Sequence, residues 1–474
     1  MQPICPLVYF YGQSFKRIVR LNKDGTIDLE FNPSRGPNGI VYFAKKQSNG
    51  KLIIGGNFTI VGNHTARYLA RLNSNGDFDT TFNLTHELLD PPAACQILSN
   101  DKILIGSYNA VSYANQKVVV RLNVDGSIDS SFYQDPNLVG KTCDLLVQPD
   151  GKIVVAGVIG SLNSFRKGLF RFNSDGTYDS IFNKGEGVMY NYWGSHVEKM
   201  TLQLDGKILI AGSFSHYNFS DNGLNRRSIA RLNSDGTLDA SFHFFLAEPF
   251  GPFYAIESLL NGDILYGGLV QYDSSVHLFG RLSYFGEWDT TFNLVAQPNS
   301  KVDVIFVQPD GKIITSGWFN EFSGIPSKRI VRLNEDGSVD TTFVVGSGVE
   351  GFINSISLSN NDKLIVTGDI SDYNGAYVGN IFRINAGLLA PSNIPPVVVI
   401  DFPKIFPNPF IESVRVVTEI PFQYELYTIE GKWFISGFSS SPELSLSTSA
   451  WPSGTYILRI ITEEGVSVRK LVKE

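Results

Sequence analysis

Asn233, Asp235 and Asp239 offer side-chain oxygens at spacings of two and four residues, a pattern from which a calcium loop could be built. Calcium takes roughly six to eight oxygen ligands, and its common loops close with a bidentate glutamate. No glutamate follows at that spacing, so the sequence does not complete a calcium site. The histidines at 64, 86, 196, 216, 243 and 277 are scattered without the spacing of metal ligands. No G-x-S-x-G, H-E-x-x-H, phosphate-loop or dinucleotide fingerprint is present. No pair of carboxylates is brought together by sequence alone. These patterns imply no catalytic residue, no cofactor and no metal.

The three oxygen-bearing residues belong to a phrase that recurs. "RLNSDGTLDASF" at 231–242 returns as "RLNKDGTIDLEF" at 20–31, "RLNSNGDFDTTF" at 71–82 and "RLNVDGSIDSSF" at 121–132. It returns again at 171–182 and 332–343, and in a worn copy, "RLSYFGEWDTTF", at 281–292. An eighth opening, "RIN", starts at Arg383. The steps between the opening arginines are 51, 50, 50, 60, 50, 51 and 51 residues. A fixed period near 50 is the mark of a repeat architecture. A second phrase, such as "QPDGKIVVAG" at 148–157 or "QPDGKIITSG" at 308–317, alternates with the first. Each unit then reads as four antiparallel strands joined by a tight Asp-Gly turn, a longer loop and a second tight turn. Four-stranded units of this length predict an all-β fold, a seven-bladed β-propeller.

Placing Ser234-Asp235-Gly236 as a three-residue loop sets Leu232 opposite Leu238 and Arg231 opposite Asp239. Apolar then meets apolar and cation meets anion, which a two-residue turn would not give. The same offset predicts cross-strand ion pairs Arg20–Asp28, Arg71–Asp79, Arg121–Asp129, Arg171–Asp179, Arg281–Asp289 and Arg332–Asp340. The phrase is thus read as scaffold. "SDGT" resembles the Asp-box of sialidases, but the box's spacing and aromatic are wrong. The alternating phrases together resemble the delta-60 repeat of bacterial surface proteins, over roughly residues 15–385. That resemblance implies a repeat scaffold and no particular activity.

The totals agree with this class. The chain has 474 residues, 43% of them apolar, with 45 Gly, 34 Phe and 20 Tyr. The formal charge of −7 argues against a nucleic-acid partner. No apolar run is long enough for a membrane span. Cys5, Cys95 and Cys143 are too few for a disulfide framework, and Cys95 and Cys143, which sit in apolar runs, read as buried thiols. A monomer is expected. The start "MQPICPLVYFYG" lacks the pattern of a signal peptide. The N-terminal end supplies strands three and four, and the C-terminal end strands one, two and three, so a blade built from both ends would close the ring. One strand three is then surplus, and the alternative is eight blades in a longer parent chain.

Function is expected where the copies differ. The 60-residue step holds two five-residue insertions, one between Phe182 and Lys207 and one between Lys207 and Arg231. In a four-stranded unit both fall on the rim opposite the tight turns. They carry Tyr190, Tyr192, Trp193, His196, His216, Tyr217, Phe219, Arg226 and Arg227. Aromatics with polar tips on long loops suit a glycan or protein ligand, with Trp193 and Tyr217 as the anchors. Loops that pack on each other and cap the unit are the other reading. A non-enzymatic recognition or structural module is expected, against a propeller hydrolase or lyase acting on a polysaccharide. Carboxylates converging on the mouth of this face would favour the enzyme, and aromatics without them would favour binding.

The repeats are assigned to residues 1–387 and a Pro-rich linker to 388–403. Residues 404–474 alternate apolar and polar as a small β-sandwich. The last module resembles the type A C-terminal sorting domain of the type IX secretion system. The matching residues are Pro407, Asn408, Pro409, Phe410, Gly431, Gly454, Tyr456, Lys470 and Lys473. The resemblance implies the type IX machinery as partner, export across the outer membrane of a Gram-negative bacterium, and release or anchoring at the surface.

Overall fold

The computed structural model describes most of residues 36–385 and 404–473, with short strands at 9–10, 13–14, 20–21 and 27–28 before them. Within that span residues 86–87, 108–117, 134–137, 162–166, 183–186, 190–195, 215, 218–227, 245–250, 273–274, 296, 344, 359–362, 374–375 and 378–380 lie outside the description. So do 386–403, 408–409, 419–421, 429–432, 450 and 463–464. The chain forms two compact units, residues 1–202 with 208–388 and residues 203–207 with 389–474. Among the described residues no helix is long and apolar enough to cross a membrane.

In the first unit each repeat folds as an antiparallel sheet. The first sheet orders Ile40–Lys46, Leu52–Asn57 and Leu69–Leu72. The next are Pro92–Ile97 with Ile103–Ser107 and Val119–Leu122, then Leu138–Val147 with Ile153–Ser161 and Lys167–Phe172. The fourth is Val197–Leu202, Ile208–Gly212 and Ile229–Leu232. The fifth is Phe253–Ser258, Ile264–Tyr272 and Ser275–Leu282, and the sixth Val302–Val307, Ile313–Gly317 and Ile330–Leu333. The middle strands are apolar on both faces because a neighbouring sheet covers each. Ile103 and Ile105 pack with Ile53 and Leu69 of the sheet before. Leu104 packs with Ile153 and Val155 of the sheet after.

The last sheet orders Val349–Leu358, Lys363–Tyr373, Ile381–Asn385, Arg20–Leu21 and Ile27–Asp28. It therefore takes strands from both chain ends, and the surplus strand lies parallel to its counterpart, Arg20 beside Arg383. Ile365 of this sheet packs with Val41, Leu52 and Ile54 of the first, and Asn354 Nδ2 donates to Val41 O at 3.2 Å.

The expected fourth strand is shorter than predicted. Among the described residues one bridge continues the ladder in six of the copies, such as Leu72 with Phe78 or Leu232 with Leu238, and two pairs do so at Arg20–Leu21 with Ile27–Asp28. The register is the one the three-residue loop demands, with Gly236 at φ 86°. Asp239 then ends the strand, because its Oδ1 accepts from Ser241 N at 3.0 Å and folds the chain back.

In the second unit Lys404–Phe406, Ser413–Val417 and Glu443–Ser447 form one sheet. Trp433–Ser439, Phe422–Thr428, Gly454–Thr462 and Gly465–Lys473 form another. Val414 and Val416 from the first share one core with Leu426, Leu458 and Leu471 from the second.

Candidate functional site

The repeated arginine is the junction between one repeat and the next. Arg231 Nε lies 2.7 Å from Asp239 Oδ2, and the matching distances are 2.6 Å at Arg71–Asp79 and Arg121–Asp129, and 2.7 Å at Arg332–Asp340. Arg171–Asp179 measures 2.9 Å and Arg281–Asp289 2.7 Å. Arg20 and Asp28 are register partners in the backbone ladder. From Arg71 to Arg332 each of the six guanidiniums also lies over the phrase's closing aromatic, 4.4 Å from the Phe182 ring centre and 4.6 Å from that of Phe132. Its Nη1 reaches forward to the tight turn of the following repeat: Arg121 to Ser174 O at 2.5 Å, Arg171 to Ser234 O at 2.5 Å, Arg281 to Glu335 O at 2.9 Å, and Arg71 and Arg231 to Val124 O and Tyr284 O. Arg332 Nη1 has no acceptor among the described residues, and the turn that would follow Arg383 lies outside them. A second cation joins from the other phrase, with Lys51 2.8 Å from Asp79, Lys102 2.8 Å from Asp129 and Lys152 2.9 Å from Asp179. Burial would raise the Asp79 carboxyl, but Lys51, Thr81 and Arg71 outweigh it and hold the group well below the ordinary aspartate range. Asn233, Asp235 and Asp239 do not converge on one point. Asn233 donates to Thr237 Oγ1, Asp235 caps its own turn through Thr237, and Asp239 holds Arg231.

The two insertions of the long repeat meet. Val188–Met189 pairs antiparallel with His216–Tyr217, with Val188 opposite Tyr217 and Met189 opposite His216. Tyr217 is not the exposed anchor that its position on a loop predicts. It is 0% exposed, packed among Phe182, Phe214 and Leu232, with its hydroxyl donating to Gly236 O at 2.5 Å. An amphipathic ring on an insertion finds its apolar partners in the core below it. Tyr190, Tyr192, Trp193, Phe219, Arg226 and Arg227 lie outside the described residues. His196 is half-buried at the base of the first insertion.

Every repeat carries a β-bulge in its first strand. The ladder skips one residue in each, namely Tyr42, Ala93, Cys143, Glu198, Tyr254, Asp303 and Asn354. First strands of adjacent sheets contact one another. Gln96 Nε2 donates to Leu145 O at 2.7 Å, Met200 N to Asp144 Oδ2 at 2.8 Å, and Thr201 Oγ1 approaches Glu257 Oε1 at 3.5 Å. The bulges thus place one residue per sheet that the ladder skips at one level of an inner ring, and six residue types fill the seven positions. Bulges re-aim side chains in this way beside functional sites. Burial within the ring raises the Glu257 carboxyl to about 7, against smaller opposing effects from the Ser258 backbone, Thr201 and Lys45.

Around Tyr254 and Asp303 the ring carries an aromatic platform. Trp318 is 47% exposed and Phe352 37% exposed, and their rings lie 4.3 Å apart between centres, tilted by 33°. Arg329 lies 5.2 Å from the first ring centre and 4.9 Å from the second. It is held there by a left-handed backbone, φ 71°, at a corner where other repeats place Tyr68 at 68° and Ser228 at 61°. Lys301 lies over Tyr254 at 4.3 Å and pairs with Asp303 at 2.9 Å. Burial raises the Asp303 carboxyl above its ordinary value although Lys301 and Trp318 both bond it.

In the second unit Phe410, Tyr456 and Lys473 come together around Trp451. The Trp451 ring lies 5.8 Å from Phe410 and 5.3 Å from Tyr456. The buried Lys473 Nζ donates to Ile411 O beneath the Phe410 ring. Gly454 pairs with Lys473 and Lys470 with Ile457 in the backbone ladder, and Pro407 is exposed. Asn408, Pro409 and Gly431 lie outside the described residues.

Residues 8–31, 47–82, 98–132, 148–182, 203–242 and 308–343 match the family described as domain of unknown function (DUF5122) beta-propeller. Residues 404–474 match the secretion system C-terminal sorting domain. The chain carries DUF5122 beta-propeller repeats and a C-terminal sorting domain. Such a sorting domain implies a secreted or cell-surface protein. Among solved structures, PorZ, an essential bacterial surface component of the type-IX secretion system of Porphyromonas gingivalis, is 11% identical with a TM-score of 0.40, over 94% of this chain and 60% of that one. The extracellular domain of a proposed hybrid two-component system, BT3049, from B. thetaiotaomicron is 12% identical with a TM-score of 0.46, over 93% of this chain and 56% of that one. YCF48 bound to D1 peptide is 12% identical with a TM-score of 0.40, over 70% and 90%. The chain therefore spans about 60% of the length of the first of these structures. No curated protein matches the sequence.

The bulge ring and the platform escaped the sequence reading. The DUF5122 repeats show a usable signal in retrospect. Trp318 stands where the first copy has Asn57, at the end of strand two, and a large aromatic replacing a small polar residue there marks an altered rim.

Proposed function

We propose that the chain is a non-enzymatic recognition module, exported by the type IX secretion system to the surface of a Gram-negative bacterium or beyond it. In this reading the repeats of residues 1–387 close as a seven-bladed, monomeric propeller. Residues 388–403 are a linker, and 404–474 are a small β-sandwich read by the export machinery. Support for seven blades comes from the contact of the last sheet with the first through Ile365 and Asn354. The ligand is a saccharide lying on Trp318 and Phe352, and that exposed pair of adjoining rings is the observation that carries the proposal. Flat aromatic surface receives the apolar faces of sugar rings at low entropic cost, and Arg329 and Lys301 beside it add donors. Asp303 is already bonded by Lys301.

A glycan array probed with the full chain and with Trp318→Ala tests this. The variant should bind about 10-fold more weakly, the scale of a lost aromatic anchor, with little change in melting temperature. Equal binding by both proteins, or no binding by either, would remove the platform reading. One observation favours a polysaccharide hydrolase or lyase instead: Glu257 stays protonated up to near neutrality, as a general acid requires. Release of new chain ends from a bound polysaccharide, abolished in Glu257→Gln, would establish that second reading.

A further inference from the structure

Two adjacent bulges bring together groups that the recognition reading does not use. Cys143 occupies the bulge of the third sheet and Glu198 that of the fourth. His196 precedes Glu198 by two residues, on the same side of the ring. One donor atom from each of Cys143, His196 and Glu198 lies within 4.8 Å of the others, and all three residues are half-buried. His196 Nε2 stands 2.6 Å from Glu198 Oε1. We propose that Cys143, His196 and Glu198 form a binding site for a zinc-class divalent ion.

A thiolate, an imidazole and a carboxylate make a mixed sulfur, nitrogen and oxygen set, which suits zinc and excludes a preference for calcium or magnesium. Bond lengths of about 2.0–2.3 Å around a tetrahedral zinc put its donor atoms roughly 3.3–3.8 Å apart. Opening the His196–Glu198 contact and drawing in the thiol by about 1 Å each reaches that geometry. Three protein ligands leave the fourth position for water. The backbone that carries the histidine is held in place, since its N–H donates to Ser213 Oγ at 3.2 Å and its carbonyl accepts from Ser213 N at 2.9 Å. Export also bears on the thiol. Free cysteines seldom persist outside the cell, and coordination protects one. The ion would tie the base of the enlarged insertion to the sheet before it.

The test uses the full chain carrying Cys5→Ser and Cys95→Ser, so that Cys143 is the one thiol. Cobalt(II) should bind at one ion per chain, with a thiolate-to-metal charge-transfer band that zinc abolishes by displacement. Cys143→Ser should lose the band, and His196→Ala and Glu198→Gln should weaken binding by at least about 100-fold, more than outer partners cost. Zinc should also slow iodoacetamide labelling of Cys143 in the parent and leave the rate unchanged in Glu198→Gln. Absence of the band, or zinc binding unaffected by Cys143→Ser or Glu198→Gln, would overturn the site. Saccharide binding enters none of these readouts, so the platform and the metal site stand or fall separately.

Discussion

Asp239→Ala should cost about 3–5 kcal/mol of stability, the range for breaking a buried pair by removing one partner. The structure selects this range over the fraction of a kcal/mol of an exposed pair, because the Arg231 side chain is 0% and that of Asp239 8% exposed. Without the carboxylate, the guanidinium keeps Tyr284 O, Ser241 Oγ at 3.2 Å, and the Phe242 and Tyr284 rings at 5.0 and 4.1 Å. Those contacts are dipolar or quadrupolar and do not replace the full negative charge that Asp239 supplies. The loss also removes the bonds from Ser241 N and Oγ, at 3.0 and 2.7 Å, that turn the chain after the strand. Asp239→Asn keeps an acceptor for that turn, so it should cost less, about 1.5–3 kcal/mol, the scale of a hydrogen bond to a charged group. The pair Arg281–Asp289 provides an internal scale. Its side chains are 19% and 22% exposed, so water reaches them and Asp289→Ala should cost only about 1–2 kcal/mol. Urea unfolding followed by two probes gives these values if the transitions coincide and the slope is unchanged. Equal costs at Asp239 and Asp289, or costs under about 0.5 kcal/mol at both, would refute burial at the repeat junction as the source of the effect.

Glu257 has a carboxyl pushed up to about 7 by burial, so its contribution to stability is full below its ordinary value near 4.5 and is lost as the pH rises through 7. Glu257→Gln should therefore be more stable than the parent at pH 8 and should flatten the melting temperature between pH 5 and pH 8 on the scale of about one pKa-linked transition; a parallel curve would show that the carboxyl ionises freely. Deleting residues 404–474 should trap the repeats inside the cell envelope of a host with a type IX system, measured by surface proteolysis of intact cells. Unchanged display would remove the sorting role.

The scaffold was legible because it is written many times. The register Leu232 to Leu238, the left-handed Gly236 and the Arg231–Asp239 pair all follow from spacing within one hairpin. What the hairpin alone does not contain is its neighbour. Arg171 reaches Ser234 O across 63 residues, a contact that appears only when sheets are stacked, and the lysine of the other phrase reaches Asp179 across 27, a contact that appears only when strand two is laid beside the hairpin. The same limit hid the platform, whose rings come from positions 318 and 352 in two sheets. Tyr217 failed in the opposite direction: an aromatic on a long loop reads as exposed, yet the insertion folds it into the core with its hydroxyl satisfied.

These two kinds of position divide the labour of the repeat. The arginine, the aspartate and the closing aromatic answer to one another through the ion pair and the ring contact, and so they are written alike in almost every copy. A bulge residue answers to no cross-strand partner. Its backbone is already excused from the ladder, so tyrosine, alanine, cysteine, glutamate, aspartate and asparagine can each stand there without altering the sheet. One such position per repeat, delivered to one level of the inner ring, lets a uniform scaffold present a non-uniform surface. Chemistry placed there, whether the Cys143–Glu198 neighbourhood or the Tyr254–Asp303 side with its platform, changes without disturbing the junctions that hold the repeats together.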